Sequence, residues 1–250
     1  MDNYEQIAQQ YRMIYDHHTH TVYSHGTGTI EDNVKVAVSK GLKSVAITDH
    51  GPGHLTYGIK RNKIQEMRDE VERLKGVYPQ IEILLGVEAN TTTRGNFIDV
   101  KDKEKDQFDI MLAGYHYGIF GANMMSNFIH AHADFLFGRS NGLRMMNNSM
   151  IRNALFKNKI DILTHPCDKG PFDIEDIARA CEKTGTLIEI NGKHKHLTVD
   201  EIKVAAEYDV KFVIGSDAHS PEYVGEFKEQ LIRALKAGLD PARIVNIERI

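Results

Sequence analysis

The sequence contains very little cysteine and no tryptophan. Its two cysteines, Cys167 and Cys181, are too few for a disulfide framework and form no paired-cysteine zinc motif. No apolar run reaches the length of about 18 residues that a transmembrane helix needs, and the opening Met1-Asp2-Asn3 is not part of a basic and apolar leader. Any metal must therefore be held by nitrogen and oxygen, and we expect a cytoplasmic protein with no membrane partner.

An excess of charge of one sign is also absent. The 250 residues include 31 basic and 35 acidic ones, which gives a formal net charge of −4 at pH 7. This balance does not suggest a protein that coats nucleic acid or acidic membranes, so a small anionic substrate would have to be captured locally. A length of 250 residues with 41% hydrophobic content suits a single domain over 1–250, with 1–12 as a leading segment before the first strand.

Short apolar segments alternate with helical segments along the chain. The seven predicted strands cover 13–20, 44–50, 81–88, 108–116, 160–166, 186–191 and 211–217. The helical segments include 59–76, where apolar residues recur at spacings of three and four. Such alternation is typical of parallel β-α units, which form an open doubly wound sheet or a closed barrel. Because no glycine-rich dinucleotide fingerprint follows the first strand, we favour an α/β barrel.

Histidines cluster at the end of the first predicted strand. The two-residue period of a strand places His18 and His20 on one face, close enough for both imidazoles to bind one metal ion. His17 should point away from that face. Because the four histidines within residues 17–25 also fit a polar loop, the later strand ends decide between the two interpretations.

Later strand ends supply further residues that bind metals. The candidates at the strand ends are His18, His20, His50, Glu88, His116, His165, Asn191, Asp217 and His219, and His25 reaches the same face from the first loop. In a parallel barrel these ends meet on one face, where such enzymes keep their chemistry. Imidazoles with one or two carboxylates suit zinc, manganese or iron, and Glu88 can bridge two ions. Clustered cations produce hydroxide at neutral pH and neutralise phosphate, as hydrolysis of a phosphate ester requires.

The strand-end motifs together resemble those of the PHP (polymerase and histidinol phosphatase) family, and are most similar to stand-alone bacterial PHP phosphatases such as the YcdX-like group. The motifs are Asp16-x-His18-x-His20-Thr21, Ile47-Thr48-Asp49-His50, Gly86-x-Glu88-Ala89-Asn90, Ala113-Gly114-x-His116, Thr164-His165-Pro166 and Gly215-Ser216-Asp217-x-His219. The resemblance implies a distorted seven-stranded, TIM-like (β/α)7 barrel. It also implies three divalent metal ions, with zinc expected and manganese or iron as alternatives.

The resemblance assigns each metal ion its ligands. One ion would be held by His18, His20, Glu88 and Asp217. Glu88 would bridge to a second ion held by His116 and His165. The third ion would be held by His25, His50 and His219. One local departure from the pattern is the first loop, where His25 lies one residue closer to His20 than in YcdX-like proteins.

The function that the resemblance implies is a metal-dependent phosphatase. It would hydrolyse small phosphate monoesters of metabolites by a metal-activated hydroxide at a trinuclear site, without a protein nucleophile. A narrower alternative is histidinol-phosphate phosphatase, which needs a pocket for an imidazole and an amine. An amidohydrolase-like hydrolase is a second alternative, and its metal ions are often bridged by a modified lysine from a middle strand. It is disfavoured because predicted strands three and four end in Glu88 and His116, with no lysine. A non-catalytic or nuclease-type PHP accessory module is disfavoured by the complete ligand set, and nucleic acid is not the expected partner.

Other residues near the strand ends are candidates for supporting roles. Asp49 precedes His50 and is expected to orient a ligand. The candidate substrate contacts, on loops after the second and sixth strands, are His54, Lys193 and His194. The cations that could bind a phosphate are Arg61, Arg94, Arg139 and Lys193. His130 and His132 are expected to lie in a solvated loop.

Overall fold

The computed structural model describes residues 3–119, 122–123, 125–127 and 141–250. Its helices are α1 (Asn3–Ala8), α2 (Ile30–Ser39), α3 (Ile64–Val77), α4 (Asn141–Lys157), α5 (Ile174–Thr184), α6 (Val199–Ala206) and α7 (Lys228–Lys236). Its strands are β1 (Tyr11–Met13), β2 (Tyr15–Asp16), β3 (Ser44–Ile47), β4 (Glu82–Asn90), β5 (Ile110–Gly114), β6 (Ile162–Leu163), β7 (Leu187–Asn191), β8 (Phe212–Gly215) and β9 (Ile247–Arg249). Among the described helices, none is long and apolar enough to cross a lipid bilayer.

Strands β2 to β8 form one parallel seven-stranded sheet in their order along the chain. Past the last strand, Thr19 and Ala218 form a parallel bridge, and the backbone N–H of His20 donates to the carbonyl of Ala218 at 2.8 Å. This contact brings the first and last strands together, so the sheet is a nearly closed barrel. The predicted seven-stranded α/β barrel is confirmed.

Apolar side chains fill both the shell of helices and the lower part of the barrel. Helix α3 shows the expected spacing, because the residues that it buries are Ile64, Met67, Val71 and Leu74. A separate cluster in which Leu112, Ile162 and Val213 pack with Tyr15 combines side chains from β2, β5, β6 and β8. Since these strands also lead to the polar strand ends, the apolar cluster gives the site a packed floor.

The predicted first strand, 13–20, is two short strands in the structure. Strand β1 pairs antiparallel with β9, whereas β2 pairs in parallel with β3, so the chain changes partner at Ile14. The leading segment packs against the fold as well, because Ala8 is buried in the main core. The periodicity of the segment did not reveal this change, since both strands have the same local pattern.

Asn246 connects β2 and β8, the first and last strands of the barrel, and its replacement tests this junction. This buried side chain accepts from the backbone N–H of Ile214 (2.9 Å) and donates to the carbonyls of Ile214 (2.7 Å) and Tyr15 (2.9 Å). Asn246→Ala should lower the free energy of unfolding by about 2 kcal/mol, because it leaves buried backbone groups without partners. Urea unfolding measures the change. Asn153→Ala, on an exposed face of α4, is the control and should shift stability by less than about 0.5 kcal/mol.

Candidate metal centre

The carboxyl ends of the barrel strands bring a continuous series of imidazoles together. Ring centroids lie 5.1 Å apart for His18 and His20, 4.4 Å for His20 and His50, 4.7 Å for His50 and His116, and 4.9 Å for His116 and His165. These five residues are at most 5% exposed. They follow four different strands, so the parallel barrel is what assembles them.

Glu88 lies at the centre of these imidazoles. Its Oε1 is 2.8 Å from Nε2 of His165 and 3.4 Å from Nε2 of both His18 and His116. Its Oε2 is 2.8 Å from Nδ1 of His50, without the geometry of a hydrogen bond. A carboxylate with imidazoles around both oxygens is placed as a bridging ligand between cations would be.

Asp217 provides a second carboxylate at the edge of the cluster. Its Oδ1 lies 3.1 Å from Nε2 of His20, 3.3 Å from Nδ1 of His219 and 3.7 Å from Nε2 of His18. Asp217 and His165 both have positive φ, 53° and 27°, which is unusual for residues with a Cβ. Such backbone conformations are often found where the surrounding structure holds a functional side chain in place.

The donor atoms fit divalent cations. Among the residues that the structure describes, four groups of three have ligand atoms within 4.8 Å of one another: His18/His20/Asp217, His20/His50/His219, His50/Glu88/His116 and His165/His194/Asp217. Ligand atoms around a tetrahedral ion with bonds of about 2.0–2.1 Å lie about 3.3 Å apart, which is close to several of the distances above. Buried atoms without a hydrogen-bond partner include His18 Nε2, both ring nitrogens of His20 and of His116, His50 Nδ1 and Glu88 Oε2. A bound cation would satisfy atoms that are otherwise costly to bury.

The two carboxylates remain charged in this buried site. Burial raises the pKa of Glu88, but the imidazoles of His116 and His18 outweigh this effect and hold the pKa well below its usual value. Burial also raises the pKa of Asp217, and His18 and His20 likewise outweigh it and hold the pKa well below the ordinary range. Both groups are therefore in the ionised form that binds metal.

The imidazoles divide into two kinds. Burial, reinforced by the neighbouring His50, holds the pKa of His20 well below 6.5, and burial has the same effect on the pKa of His116. A lowered pKa favours the neutral imidazole, which is the form that binds a metal ion. Burial also lowers the pKa of His18, but the carboxylates of Glu189 and Glu88 raise it well above 6.5.

His25 lies beside the cluster, outside the four groups. Its ring is 4.1 Å from that of His219 and 5.0 Å from that of His50, and it stacks on Tyr57 at 4.3 Å. Burial and the nearby His219 lower its pKa to about 3, and its Nδ1 is buried without a hydrogen-bond partner. The described geometry therefore brings His25 next to the predicted third position without completing it.

Asp49 positions the first loop through hydrogen bonds to that loop. Its buried carboxylate accepts from the N–H of Thr21 (2.7 Å), the hydroxyl of Thr21 (2.6 Å) and the hydroxyl of Ser24 (2.5 Å). Thr21 follows His20 and Ser24 precedes His25. The carboxylate thus holds the segment between two candidate ligands, and the prediction that Asp49 orients a ligand stays a prediction.

Glu189 is a site residue that the sequence reasoning missed. Its buried carboxylate lies 2.6 Å from Nδ1 of His18 and accepts from the N–H of His165 (2.7 Å) and the side-chain amide of Asn191 (2.8 Å). A carboxylate on the far nitrogen of a ligand histidine orients the ring and raises its basicity. The available signal was its place two residues before Asn191, on the same face of β7.

Two glycines leave room for these side chains. A Cβ at Gly114 would overlap the hydroxyl of Thr164 and lie 2.9 Å from His165 Cε1 and 3.2 Å from Glu88 Oε1. A Cβ at Gly215 would overlap the carboxylate of Glu189. Both motifs contain glycine because the strand backbone there faces a side chain of the site at close range.

A cavity of about 320 Å³ opens over the cluster. Its wall residues beyond the candidate ligands include His54, Thr56, Tyr57, Tyr117, Gly118, Lys169, Lys193 and His194. The structure thus places all three predicted substrate contacts, His54, Lys193 and His194, at the mouth, and adds Lys169. A larger groove of about 1050 Å³ lies between the first loop and α3, and its lining contains no histidine.

The other predicted phosphate-binding cations are placed elsewhere. Arg61 donates to Glu104 at 3.0 Å and to the carbonyl of Asp99 at 3.0 Å. Arg94 is exposed and does not line the cavity. Arg139, His130 and His132 lie outside the described residues.

His17 points away from the centre, as the strand period predicts. Its Nε2 forms a hydrogen bond of 2.9 Å with the hydroxyl of Ser44, and its ring stacks on that of Tyr15 at 4.2 Å between centroids. It belongs to none of the four groups of ligand atoms found among the described residues.

Comparisons with known proteins identify the family and several relatives of this chain. Residues 16–239 match the model of the PHP domain. The chain is 30% identical to a probable phosphatase of Thermoanaerobacter sp. (strain X514), over 95% of this chain and 91% of that protein. It is 33% identical to a probable phosphatase of Shewanella sp. (strain MR-4), over 86% of this chain and 80% of that protein. The histidinol phosphate phosphatase of Lactococcus lactis, solved with zinc, L-histidinol and phosphate, shares the fold with a TM-score of 0.60 at 16% identity, covering 91% of this chain and 95% of that one.

Proposed function

The chain belongs to the PHP domain family, and on that premise we propose that it is a metal-dependent phosphatase acting on small phosphate monoesters at a trinuclear centre. The observation that supports the proposal most directly is the set of buried imidazole and carboxylate atoms that converge on Glu88 without hydrogen-bond partners. Curated relatives that match most of the chain are named as probable phosphatases.

Three overlapping ligand groups, which share His20 and His50, support more than one cation position in the proposed centre. They are His18/His20/Asp217, His20/His50/His219 and His50/Glu88/His116, with His165 against Glu88 and His25 beside His219. Zinc suits these nitrogen and oxygen donors, and manganese and iron are the alternatives. Bound divalent ions would lower the pKa of a water molecule and neutralise negative charge on phosphate.

The residues of the chain would bind and orient the substrate. Lys169 and Lys193 lie in the wall of the cavity, where their ammonium groups would pair with phosphate oxygens that face the mouth. Partial burial lowers the pKa of Lys193, but the nearby carboxylate of Asp217 opposes that effect. The packed floor below the centre leaves the mouth as the route by which substrate and water enter.

The charge of the cavity wall favours substrates without an amine. Among the described wall residues there are two lysines and one carboxylate, and that carboxylate is Asp217, which already faces His20 and His219. The ammonium group of histidinol phosphate would therefore lie near the ammonium groups of these two lysines, and no free carboxylate among these wall residues would pair with it. We infer that a neutral or anionic phosphate monoester fits this mouth better than histidinol phosphate does.

A metal analysis run beside a substrate comparison tests the function. Protein purified without chelator should contain two to three equivalents of zinc, manganese or iron by the ligand groups above. It should hydrolyse phenyl phosphate faster than a phosphodiester or single-stranded DNA, and faster than histidinol phosphate. Chelation should abolish the activity and added metal should restore it. Absence of metal together with absence of rescue would refute the proposal, and preferential cleavage of the diester or of DNA would favour the nuclease-type alternative.

A further inference from the structure

His194 is placed by a rigid turn at the end of β7. The side-chain carbonyl of Asn191 accepts from the backbone N–H of Lys193 and from that of His194, both at 2.8 Å. Arg233 donates to the carbonyl of His194 at 3.3 Å. The imidazole is only 19% exposed and lies against the ring of His165, with 4.8 Å between the centroids. These contacts fix the ring at the inner edge of the mouth.

Both ring nitrogens of His194 face carboxylates. Nδ1 lies 3.0 Å from Oδ2 of Asp168, and Nε2 lies 3.4 Å from Oδ2 of Asp217. An ionised carboxylate only accepts hydrogen bonds, so the close contact to Asp168 places the ring proton on Nδ1. In that tautomer, Nε2 presents a lone pair to Oδ2 of Asp217. Two lone pairs at this separation repel each other unless a positive charge lies between them.

A cation accounts for this contact better than a proton does. A proton on Nε2 would satisfy only the pair formed by His194 and Asp217. The neighbouring His165 has a buried Nδ1 without a hydrogen-bond partner, and His165, His194 and Asp217 all have ligand atoms within 4.8 Å of one another. A separation of 3.4 Å is also close to the distance of about 3.3 Å between two ligand atoms on a tetrahedral ion. One cation would therefore serve all three residues.

We propose that His194 is an additional metal ligand, which together with His165 and Oδ2 of Asp217 forms a cation position at the mouth of the centre, and that Asp168 orients it. The two oxygens of Asp217 would then face two positions, because Oδ1 lies near His20 and Oδ2 near His194. This inference rests on the proposed metal-dependent function. It assigns to His194 a role in the centre itself, in place of a substrate contact.

Metal affinity, measured by competition with a chromophoric chelator, tests the proposal without an activity assay. The variants are His194→Gln and Asp168→Asn, and the matched control is His196→Gln. His196 lies in the same loop and is also paired with a carboxylate, 2.9 Å from Glu201. In His194→Gln, the affinity for one equivalent of zinc or manganese should fall by about 100-fold, because a ligand is lost. In Asp168→Asn, that affinity should fall by about 10-fold, because the carboxylate partner of the ligand is lost. His196→Gln should bind metal as the unchanged protein does.

Two further measurements make the outcomes distinct. Urea unfolding of the metal-free variants should show cooperative transitions, so that a loss of metal is not a loss of fold. Cobalt substitution should give a visible spectrum that changes in His194→Gln and not in His196→Gln. If His194→Gln keeps every equivalent at full affinity and only raises KM, His194 is a substrate contact and this inference is wrong. If the unchanged protein binds no metal, the proposed function fails as well.

Discussion

Replacing Glu88 with glutamine should lower kcat/KM for a phosphate monoester by at least about 10³-fold, equivalent to about 4 kcal/mol of transition-state stabilisation. Glutamine has nearly the same shape, so the barrel should remain folded. It lacks the negative charge, and its amide group can present only one oxygen to neighbours that surround both oxygens of Glu88. The positions on the two sides of this residue should therefore lose affinity for cations together.

The measurement combines steady-state kinetics with metal content. Glu104→Gln is the matched control, because Glu104 is also buried but pairs with Arg61 on the outside of the barrel. The control should keep its metal and its activity. If Glu88→Gln retains the full complement of metal and a rate within about tenfold of the unchanged enzyme, Glu88 does not bridge the ions and the centre is organised differently.

Glu189→Ala should lower the free energy of unfolding by about 3–5 kcal/mol, because it removes one partner of a buried charged contact and leaves a void. The change leaves Nδ1 of His18, the N–H of His165 and the amide of Asn191 without their common acceptor. Urea unfolding of the metal-free protein measures the effect. A loss below about 1 kcal/mol would contradict this account of the contact.

Glu189→Gln separates positioning from stability. It keeps the volume but removes the charge that orients His18, so metal affinity should fall by about 10–100-fold. Glu201→Gln is the control, since Glu201 forms a comparable contact with His196 outside the centre. That variant should bind metal normally. If Glu189→Gln and Glu201→Gln lowered the metal affinity equally, the loss would be a general consequence of neutralising a buried carboxylate.

The cluster of histidines and carboxylates at the strand ends was predictable because a regular rule connects these residues. A short apolar run followed by a histidine or carboxylate recurs along the chain, and parallel strands in a barrel end on one face. His18, Glu88, His116 and Asp217 come together without any detailed knowledge of the loops. The same rule allowed the seven strands to be predicted, although it did not predict that the chain changes partner at Ile14, since that depends on pairing with β9, more than 200 residues away.

The supporting residues were not predictable from local patterns. Lys169 and Asp168 follow His165 in a turn whose direction the sequence does not indicate, and Arg61 was an equally plausible phosphate ligand until its contact with Glu104 was known. The partners of Asp49 required the structure as well, because its hydrogen bonds run to the first loop, more than 20 residues away in the sequence.

The sequence by itself determined the alternation of strands and helices, the residues at the strand ends, and hence the kind of chemistry at one face of a barrel. Hydrophobic periodicity and the position of polar residues at strand ends are local properties that a single chain displays directly. Only the tertiary structure decided which carboxylate orients which imidazole, which lysine side chains line the mouth of the cavity, and that the ring of His194 points towards the centre. Those outcomes depend on contacts between distant segments, such as Glu189 with His18 and Asp168 with His194, and such contacts exist only once the barrel has closed.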